Sequence, residues 1–131
     1  MTQHVRDAMV PDPIALDGSD SAQKAGERLS DPGVRAVLVC DDDTLLGVVT
    51  RKTLVREVIA AGRDPRTTKL SEIVEPPNYT LDASMDLEQA FHELEEHDLE
   101  RVPVIEDGRL VGILSRSGVQ RRLAEDESPP P

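Results

Sequence analysis

The sequence contains one five-residue motif twice, and this internal repeat constrains the fold more than any other feature. Gly-Val-Val-Thr-Arg stands at 47–51 and Gly-Ile-Leu-Ser-Arg at 112–116, an offset of 65 residues (112 minus 47). The same offset aligns 5–56 with 70–121 without a gap, and 13 of these 52 positions are identical. A duplicated unit explains this identity. Because a unit of about 60 residues buries little of its surface alone, we expect the two copies to share a core.

Each copy opens with a short extended segment followed by a helix. Prolines precede residues 14–16 and 79–81 and disfavour helix at those positions. Ser19 and Ser84 are the predicted N-caps of the helices that follow. Apolar residues at helical spacing continue both helices: Ala22, Ala25 and Leu29 in the first copy; Leu87, Ala90, Phe91 and Leu94 in the second.

Two β-branched runs joined by a turn come next in each copy. In the first copy the runs are 34–40 and 45–50, with three consecutive aspartates between them. In the second copy they are 102–105 and 110–115, and the turn contains Asp107-Gly108, a dipeptide typical of tight hairpins. Both copies are therefore predicted to contain a β-hairpin after the first helix.

A closing helix completes each copy, so the predicted order of elements is β-α-β-β-α, repeated, in an α/β (α+β) class of fold. On the first closing helix one apolar face is expected, ended by a glycine: Leu54, Val55, Val58 and Ile59, then Gly62. The predicted organisation is repeat 1 at 5–61, a linker at 62–69, repeat 2 at 70–124, and a disordered, acidic and proline-rich end at 125–131.

The composition argues against several kinds of partner. There are 26 acidic and 15 basic side chains, and the net charge of −11 repels the phosphates of nucleic acids. Aromatic residues make up 2% of the chain, so almost no side chains are available to stack on nucleic-acid bases. No apolar run approaches the roughly 20 residues that cross a membrane, and no signal-peptide pattern opens the sequence. We therefore expect a cytoplasmic protein with neither nucleic-acid nor membrane partners.

The order of elements, the Val-Pro-Val-Ile-Glu-Asp-Gly segment at 102–108, and the Gly-x-x-Thr/Ser motif before each closing helix resemble the CBS domain family. The resemblance covers residues 5–124. It implies two tandem CBS repeats packed with pseudo-twofold symmetry, a Bateman module, with two clefts between the copies and association as a homodimer. Many such pairs bind AMP, ADP, ATP or S-adenosylmethionine in those clefts, which implies a regulatory ligand rather than a required cofactor.

The corners at which the two motifs pass from strand to helix are the candidate ligand sites. Thr50 or Ser115 precedes a helix whose free N–H groups and positive dipole end favour an anion. Arg51 and Arg116 add positive charge at the same places. The alternative from residue chemistry is that Thr50 and Ser115 are ordinary N-caps and that both arginines are solvated.

Both motifs depart from the family pattern at one position. Ligand-binding members usually carry Asp or Asn three residues after the Thr or Ser, where it holds the ribose hydroxyls. This chain has Thr53 and Gly118 at those positions. A threonine can hydrogen-bond a hydroxyl, whereas a glycine offers only backbone, so the first corner, with Thr50, Arg51 and Thr53, is the favoured ligand site.

No constellation in the sequence supports catalysis. His92 and His97 lie in an acidic run, but histidines five residues apart face different sides of a helix, so no metal site is predicted. Cys40 follows an apolar run and has no second cysteine, which favours a buried, unreactive thiol. We predict a non-enzymatic module that senses an adenine nucleotide and acts on an unidentified protein partner. The alternative is a ligand-free module for dimerisation or protein docking.

Overall fold

The computed structural model describes residues 3–127, with side chains up to residue 125. The chain divides into two compact units. Residues 14–78 form the first, which we call the central unit, and the segments before and after it form the second, the terminal unit. Each unit buries its own cluster of mainly aliphatic side chains. Helices and strands are mixed along the chain, which confirms the predicted α+β class.

The elements follow the predicted order in both copies. In chain order they are α1 (Val5–Ala8), β1 (Val10–Pro11), β2 (Ala15–Asp17), α2 (Ala22–Leu29), β3 (Val37–Asp41), β4 (Thr44–Val49), α3 (Arg51–Leu54, continuing as a π-helix over Val55–Ile59), α4 (Leu70–Ile73), β5 (Leu81–Asp82), α5 (Leu87–Glu96), β6 (Arg101–Glu106), β7 (Arg109–Ser115) and α6 (Arg116–Glu127). The predicted β-α-β-β-α order is thus found as β2-α2-β3-β4-α3 and as β5-α5-β6-β7-α6.

The central unit contains a β-α-β crossover and a hairpin. Strand β2 pairs in parallel with β3, and β3 pairs antiparallel with β4. Alternate residues of β3 and β4 face the core, where Val39 and Val49 are fully buried. Helix α2 adds Ala25, also fully buried, to the same cluster. Small and branched side chains therefore build this core in place of aromatic ones.

The terminal unit repeats this arrangement and carries one additional strand. Strand β5 pairs in parallel with β6, β6 pairs antiparallel with β7, and the short β1 pairs antiparallel with β7. The β6–β7 turn has positive φ angles at Asp107 (51°) and Gly108 (79°), as the tight-turn prediction requires. The turn of the central unit has one positive φ angle, 53° at Asp42.

The compact units do not coincide with the sequence repeats. Leu70 and Ile73, at the start of the second repeat, lie in the buried cluster of the central unit. Val5, which the 65-residue offset aligns with Leu70, lies in the buried cluster of the terminal unit. Each unit therefore combines the body of one repeat with the leading segment of the other.

Both predicted N-caps are wrong by two residues. Helix α2 is capped by Ser21, which accepts from the backbone N–H of Lys24, and α5 is capped by Asp86, which accepts from two backbone N–H groups. Ser19 and Ser84 instead donate backbone N–H and hydroxyl bonds to the aspartate two residues before them, at 2.8 and 2.7 Å to Asp17 and at 2.8 and 2.5 Å to Asp82. This local turn competes with capping and delays the helix.

The predicted apolar face of the first closing helix is only half correct. Val58 is buried and Leu54 packs against the core, but Val55 is 53% exposed and Ile59 is 73% exposed. The helix widens to π geometry over these residues, with the N–H of Ala60 bonding to the carbonyl of Val55, and this changes the angular spacing of its side chains.

Gly62 ends this helix as predicted. It adopts a positive φ of 71°, and the N–H of the following Arg63 bonds to the carbonyl of Val58 at 2.9 Å, which is a Schellman-type end. At the other end of the chain, α6 runs to Glu127, so residues 125–127 of the predicted disordered end are helical and 128–131 lie outside the described residues. Within residues 3–127, no helix has the length and apolar character needed to cross a membrane.

Candidate functional site

Thr50 forms the corner between β4 and α3. It is the N-cap of α3, and its hydroxyl accepts from the backbone N–H of Thr53 at 3.3 Å. In return, the hydroxyl of Thr53 accepts from the backbone N–H of Thr50 at 3.1 Å, and the two hydroxyls are 3.1 Å apart. This reciprocal capping box fixes the direction in which the helix leaves the strand. The amides of Arg51 and Lys52, in the first turn, have no intrahelical partner.

The segment that follows α4 reaches this corner because residue 47 is a glycine. Val48 and Glu75 exchange two backbone hydrogen bonds, at 2.8 and 3.0 Å. A Cβ atom on Gly47 would lie 2.0 Å from the carbonyl oxygen of Glu75, far inside van der Waals contact. The glycine of the repeated motif therefore permits a backbone-to-backbone approach that places Glu75 beside the corner.

Glu75 is the residue at this site that the sequence reasoning missed. Its Oε1 accepts the hydroxyl of Thr53 at 3.2 Å and also contacts the guanidinium of Arg56. The 65-residue offset aligns Glu75 with Val10, so the repeat gave no signal of a polar role. The glycine at 47 was a signal of close approach, but it did not identify the approaching residue.

The contacts of Thr53 differ from its predicted role. Its side chain is fully buried, and its hydroxyl donates to Glu75 while accepting from Thr50. A hydroxyl has one donor and two acceptor positions, and the contacts within the chain occupy them. Thr53 therefore holds Thr50 and Glu75 in position. The polar group that is exposed to solvent next to Thr53 is the carboxylate of Glu75.

Arg51 keeps its positive charge uncompensated. One of its Nη atoms donates to the backbone carbonyl of Asp31 at 2.8 Å, and the side chain is exposed. Among the side chains described, which end at residue 125, no carboxylate forms an ion pair with it. The first corner therefore combines unpaired helix amides with a guanidinium that has no carboxylate partner, which is a favourable environment for a small anion.

The second corner has the same order of strand, hydroxyl residue and arginine, but its arginine is paired with carboxylates. Ser115 precedes α6, and its hydroxyl accepts from the N–H of Gly118 at 3.1 Å. Arg116 pairs with Asp98 at 3.3 Å and with Glu100 at 3.2 Å, and its backbone N–H is already bonded to the carbonyl of Glu100. Two carboxylates thus neutralise the cation, and one of the helix amides is occupied.

One cluster of metal-ligating groups forms where the sequence predicted none. Glu93, Glu96 and His97 on and after α5 bring one ligand atom each within 4.8 Å of one another. The pair of histidines considered from the sequence, His92 and His97, does not take part together. The hydroxyl of Tyr79 donates to Glu93, and this bond raises the pKa of Tyr79, as do burial and the negative charges of Glu93 and Glu96.

Cys40 is buried, with 6% of its surface exposed. Burial raises the pKa of its thiol, and the negative charges of Asp43 and Asp17 raise it further. A thiol in this environment stays protonated, and the nucleophilic form is the thiolate. The predicted role as a small buried hydrophobe agrees with this environment.

Two βαββα units, each with a strand-to-helix corner at a threonine or serine followed by arginine, define a protein built from a tandem domain pair. Residues 5–60 and 70–125 each match the CBS domain family, so the chain belongs to that family. The matched ranges cover most of both sequence repeats.

Similar proteins agree with this assignment. Hypoxic response protein 1 of Mycobacterium tuberculosis is 32% identical over 121 residues, which span 92% of this chain and 85% of that protein. A crystal structure of Hypoxic Response Protein I with two coordinated zinc ions superposes with a TM-score of 0.75 at 30% identity, covering 92% of this chain and 98% of that one. A crystal structure of CBSX2 in complex with AMP superposes with a TM-score of 0.73 at 28% identity, covering 95% and 98%.

Proposed function

We propose that this chain is a non-catalytic regulatory module that senses an adenine nucleotide, whose phosphate binds at the corner formed by Thr50 and Arg51. The observation that carries the proposal is the difference between the two corners. Arg51 has no carboxylate partner among the described residues, whereas Arg116 is paired with two. A free cation beside unpaired helix amides suits a phosphate.

The charge of the whole molecule makes this corner selective for a small ligand. A net charge of −11 repels large polyanions, whereas a mononucleotide needs only one local cationic site. The AMP complex of the similar CBSX2 supports an adenine nucleotide as the ligand. S-adenosylmethionine shares the adenosine but has no phosphate, so Arg51 favours AMP, ADP or ATP over it.

The proposed output is the regulation of another protein. A ligand changes the activity of a partner only if it binds one arrangement of the module more tightly than another. We propose that the module acts as a homodimer whose protein partner responds to nucleotide occupancy.

A thermal-shift and calorimetry screen of the full chain against AMP, ADP, ATP and S-adenosylmethionine tests the proposal. A ligand at 100 times its dissociation constant stabilises the fold by about 2.7 kcal/mol, which raises the melting temperature by several degrees. Arg51→Ala is expected to weaken binding of the nucleotides, and Thr50→Ala to weaken it as well.

Arg116→Ala is the matched control, because it removes an equivalent arginine from the corner whose charge is already neutralised. Its binding is expected to stay within a factor of about two of the unmodified chain. A flat response to every nucleotide, or equal losses in Arg51→Ala and Arg116→Ala, would exclude the proposed ligand site.

A ligand-free module for dimerisation or docking is the second candidate function. The observation that favours it is the exposure of Val55 (53%) and Ile59 (73%) on the π-helix, since large apolar side chains on one surface often mark an interaction site. Sedimentation of the full chain with both residues changed to Glu tests it. A smaller assembly in the variant, together with no response to nucleotides, would favour this function over the first.

A further inference from the structure

We propose that Glu75 determines the ligand specificity of the Thr50 corner by accepting a hydroxyl group of the ligand. The corner then takes a phosphate that is carried on a hydroxylated sugar, as in a ribonucleotide, and discriminates against inorganic phosphate and against nucleotides that lack the ribose hydroxyls. This inference rests on the proposed function and identifies a residue that the repeated sequence motif does not contain.

Backbone and side-chain hydrogen bonds hold Glu75 close to Thr50. Its backbone is held by two hydrogen bonds to Val48, two residues before Thr50 on the strand that ends at the corner. Its carboxylate accepts the hydroxyl of Thr53, which in turn lies 3.1 Å from the hydroxyl of Thr50. Glu75 is therefore within two hydrogen-bond lengths of the group that opens the proposed phosphate site.

One oxygen of the Glu75 carboxylate is free to accept further hydrogen bonds. Thr53 and Arg56 both contact Oε1. Within the described part of the chain, no donor is assigned to Oε2, and 41% of the side chain is exposed. An ionised carboxylate is purely an acceptor, with room for about four hydrogen bonds, so Oε2 is available to a donor from a ligand.

The charges at this corner determine which kind of ligand group Oε2 accepts. A carboxylate near an anion site disfavours a second negative group, because like charges at short range repel. It favours neutral hydroxyl donors, and charge-assisted hydrogen bonds are stronger than neutral ones. A phosphate attached to a diol satisfies both conditions: the phosphate meets the first helix amides and Arg51, and the hydroxyls meet Glu75.

The second corner provides an internal comparison. Gly118 and Val10 occupy the positions that align with Thr53 and Glu75, so that corner has neither the buried hydroxyl nor the carboxylate. The arrangement of Thr53, Glu75 and Arg56 belongs to one corner alone in the described residues. We expect one hydroxyl-selective nucleotide site per chain.

Isothermal titration calorimetry of the full chain with AMP, 2′,3′-dideoxy-AMP and inorganic phosphate tests the inference. The unmodified chain is expected to bind AMP roughly 10- to 100-fold more tightly than the dideoxy analogue, the range of a hydrogen bond to a charged group. In Glu75→Gln and in Glu75→Ala this ratio should fall to about three or less, and binding of inorganic phosphate should strengthen. Glu57→Gln, on an exposed position of the π-helix, is the control and should keep the full ratio.

Each variant is compared with itself on two ligands, so a general loss of stability does not imitate the predicted result. An unmodified chain that binds AMP and its dideoxy analogue equally would overturn the inference. So would an unchanged ratio in both Glu75 variants, and in either case nucleotide sensing at Thr50 would stand. If no adenine nucleotide binds the unmodified chain, the proposed function and this inference fail together.

Discussion

Replacing Gly47 should destabilise the protein far more than replacing any other glycine near a strand. In Gly47→Ala the new Cβ would lie 2.0 Å from the carbonyl oxygen and 2.8 Å from the carbonyl carbon of Glu75, which are backbone atoms that no rotamer change can move. The segment must retreat by more than 1 Å, and both hydrogen bonds between Val48 and Glu75 are lost. Gly47→Val adds two methyl groups to the same clash.

The magnitude follows from these contacts. Two backbone hydrogen bonds contribute about 1 kcal/mol each, and backbone strain adds a similar amount, so we expect a loss of about 2–4 kcal/mol. For a chain of 131 residues this lowers the melting temperature by about 7–14 °C. Gly112→Ala should cost less, because the nearest atom to its Cβ is in the flexible side chain of Met9, at 2.5 Å, and the backbone oxygen of Val10 is farther away, at 3.0 Å.

Urea and thermal denaturation followed by circular dichroism measure these differences. Gly26→Ala is the control: it lies within α2, its nearest contact would be Leu54 at 3.7 Å, and alanine stabilises a helix by up to about 1 kcal/mol over glycine. An unfolding midpoint for Gly47→Ala equal to that of the unmodified chain would refute the close-approach explanation of the repeated glycine.

Three further predictions test the local structure. Tyr79 is the single tyrosine and the chain has no tryptophan, so its titration can be followed by ultraviolet absorbance without overlap from other residues. In the folded protein the pKa of Tyr79 should lie above the usual value, and Glu93→Gln should lower that pKa. Because the folded-state pKa is the raised one, the stabilisation is present below the unfolded pKa of about 10 and is lost as pH rises through the folded value. An ordinary pKa for Tyr79 would contradict the bond to Glu93. Asp86→Ala should cost about 1 kcal/mol in urea denaturation and Ser84→Ala much less, since Asp86 is the N-cap of α5; a larger loss in Ser84→Ala would reverse this assignment. Cys40, with burial raising the pKa of its thiol, should react with a disulfide reagent at pH 8 only after denaturant is added, and rapid reaction of the native chain would contradict its burial.

Much of the fold was predictable because its signals are local or repeated. The hairpin at Asp107-Gly108 depends on two adjacent residues that tolerate positive φ angles, and the Gly62 helix end depends on one. The Thr50 cap involves residues three apart. Because the two copies align at an offset of 65 residues, each local prediction in one copy also applied to the other. The predicted order of elements was therefore correct in both copies.

The errors arose where two local structures competed or where helix geometry changed. Ser19 and Ser21 are both acceptable N-caps, and the bond from Ser19 to Asp17 decided between them. A helical period of 3.6 residues placed Val55 and Ile59 with Val58, but both side chains lie on the exposed side of the π-helix. Neither outcome has a signal in the residue types alone.

The sequence by itself determined the duplication, the order of the elements, the turns and the strand-to-helix corners, because each depends on residues that are neighbours along the chain. Only the tertiary structure decided which segment completes each core and which carboxylate stands beside Thr50. Glu75 and Val48 are far apart in sequence, and their pairing requires the leading segment of the second repeat to pack into the central unit. At the second corner the aligned residue Val10 has no carboxylate, and the tertiary structure pairs Arg116 with Asp98 and Glu100 instead.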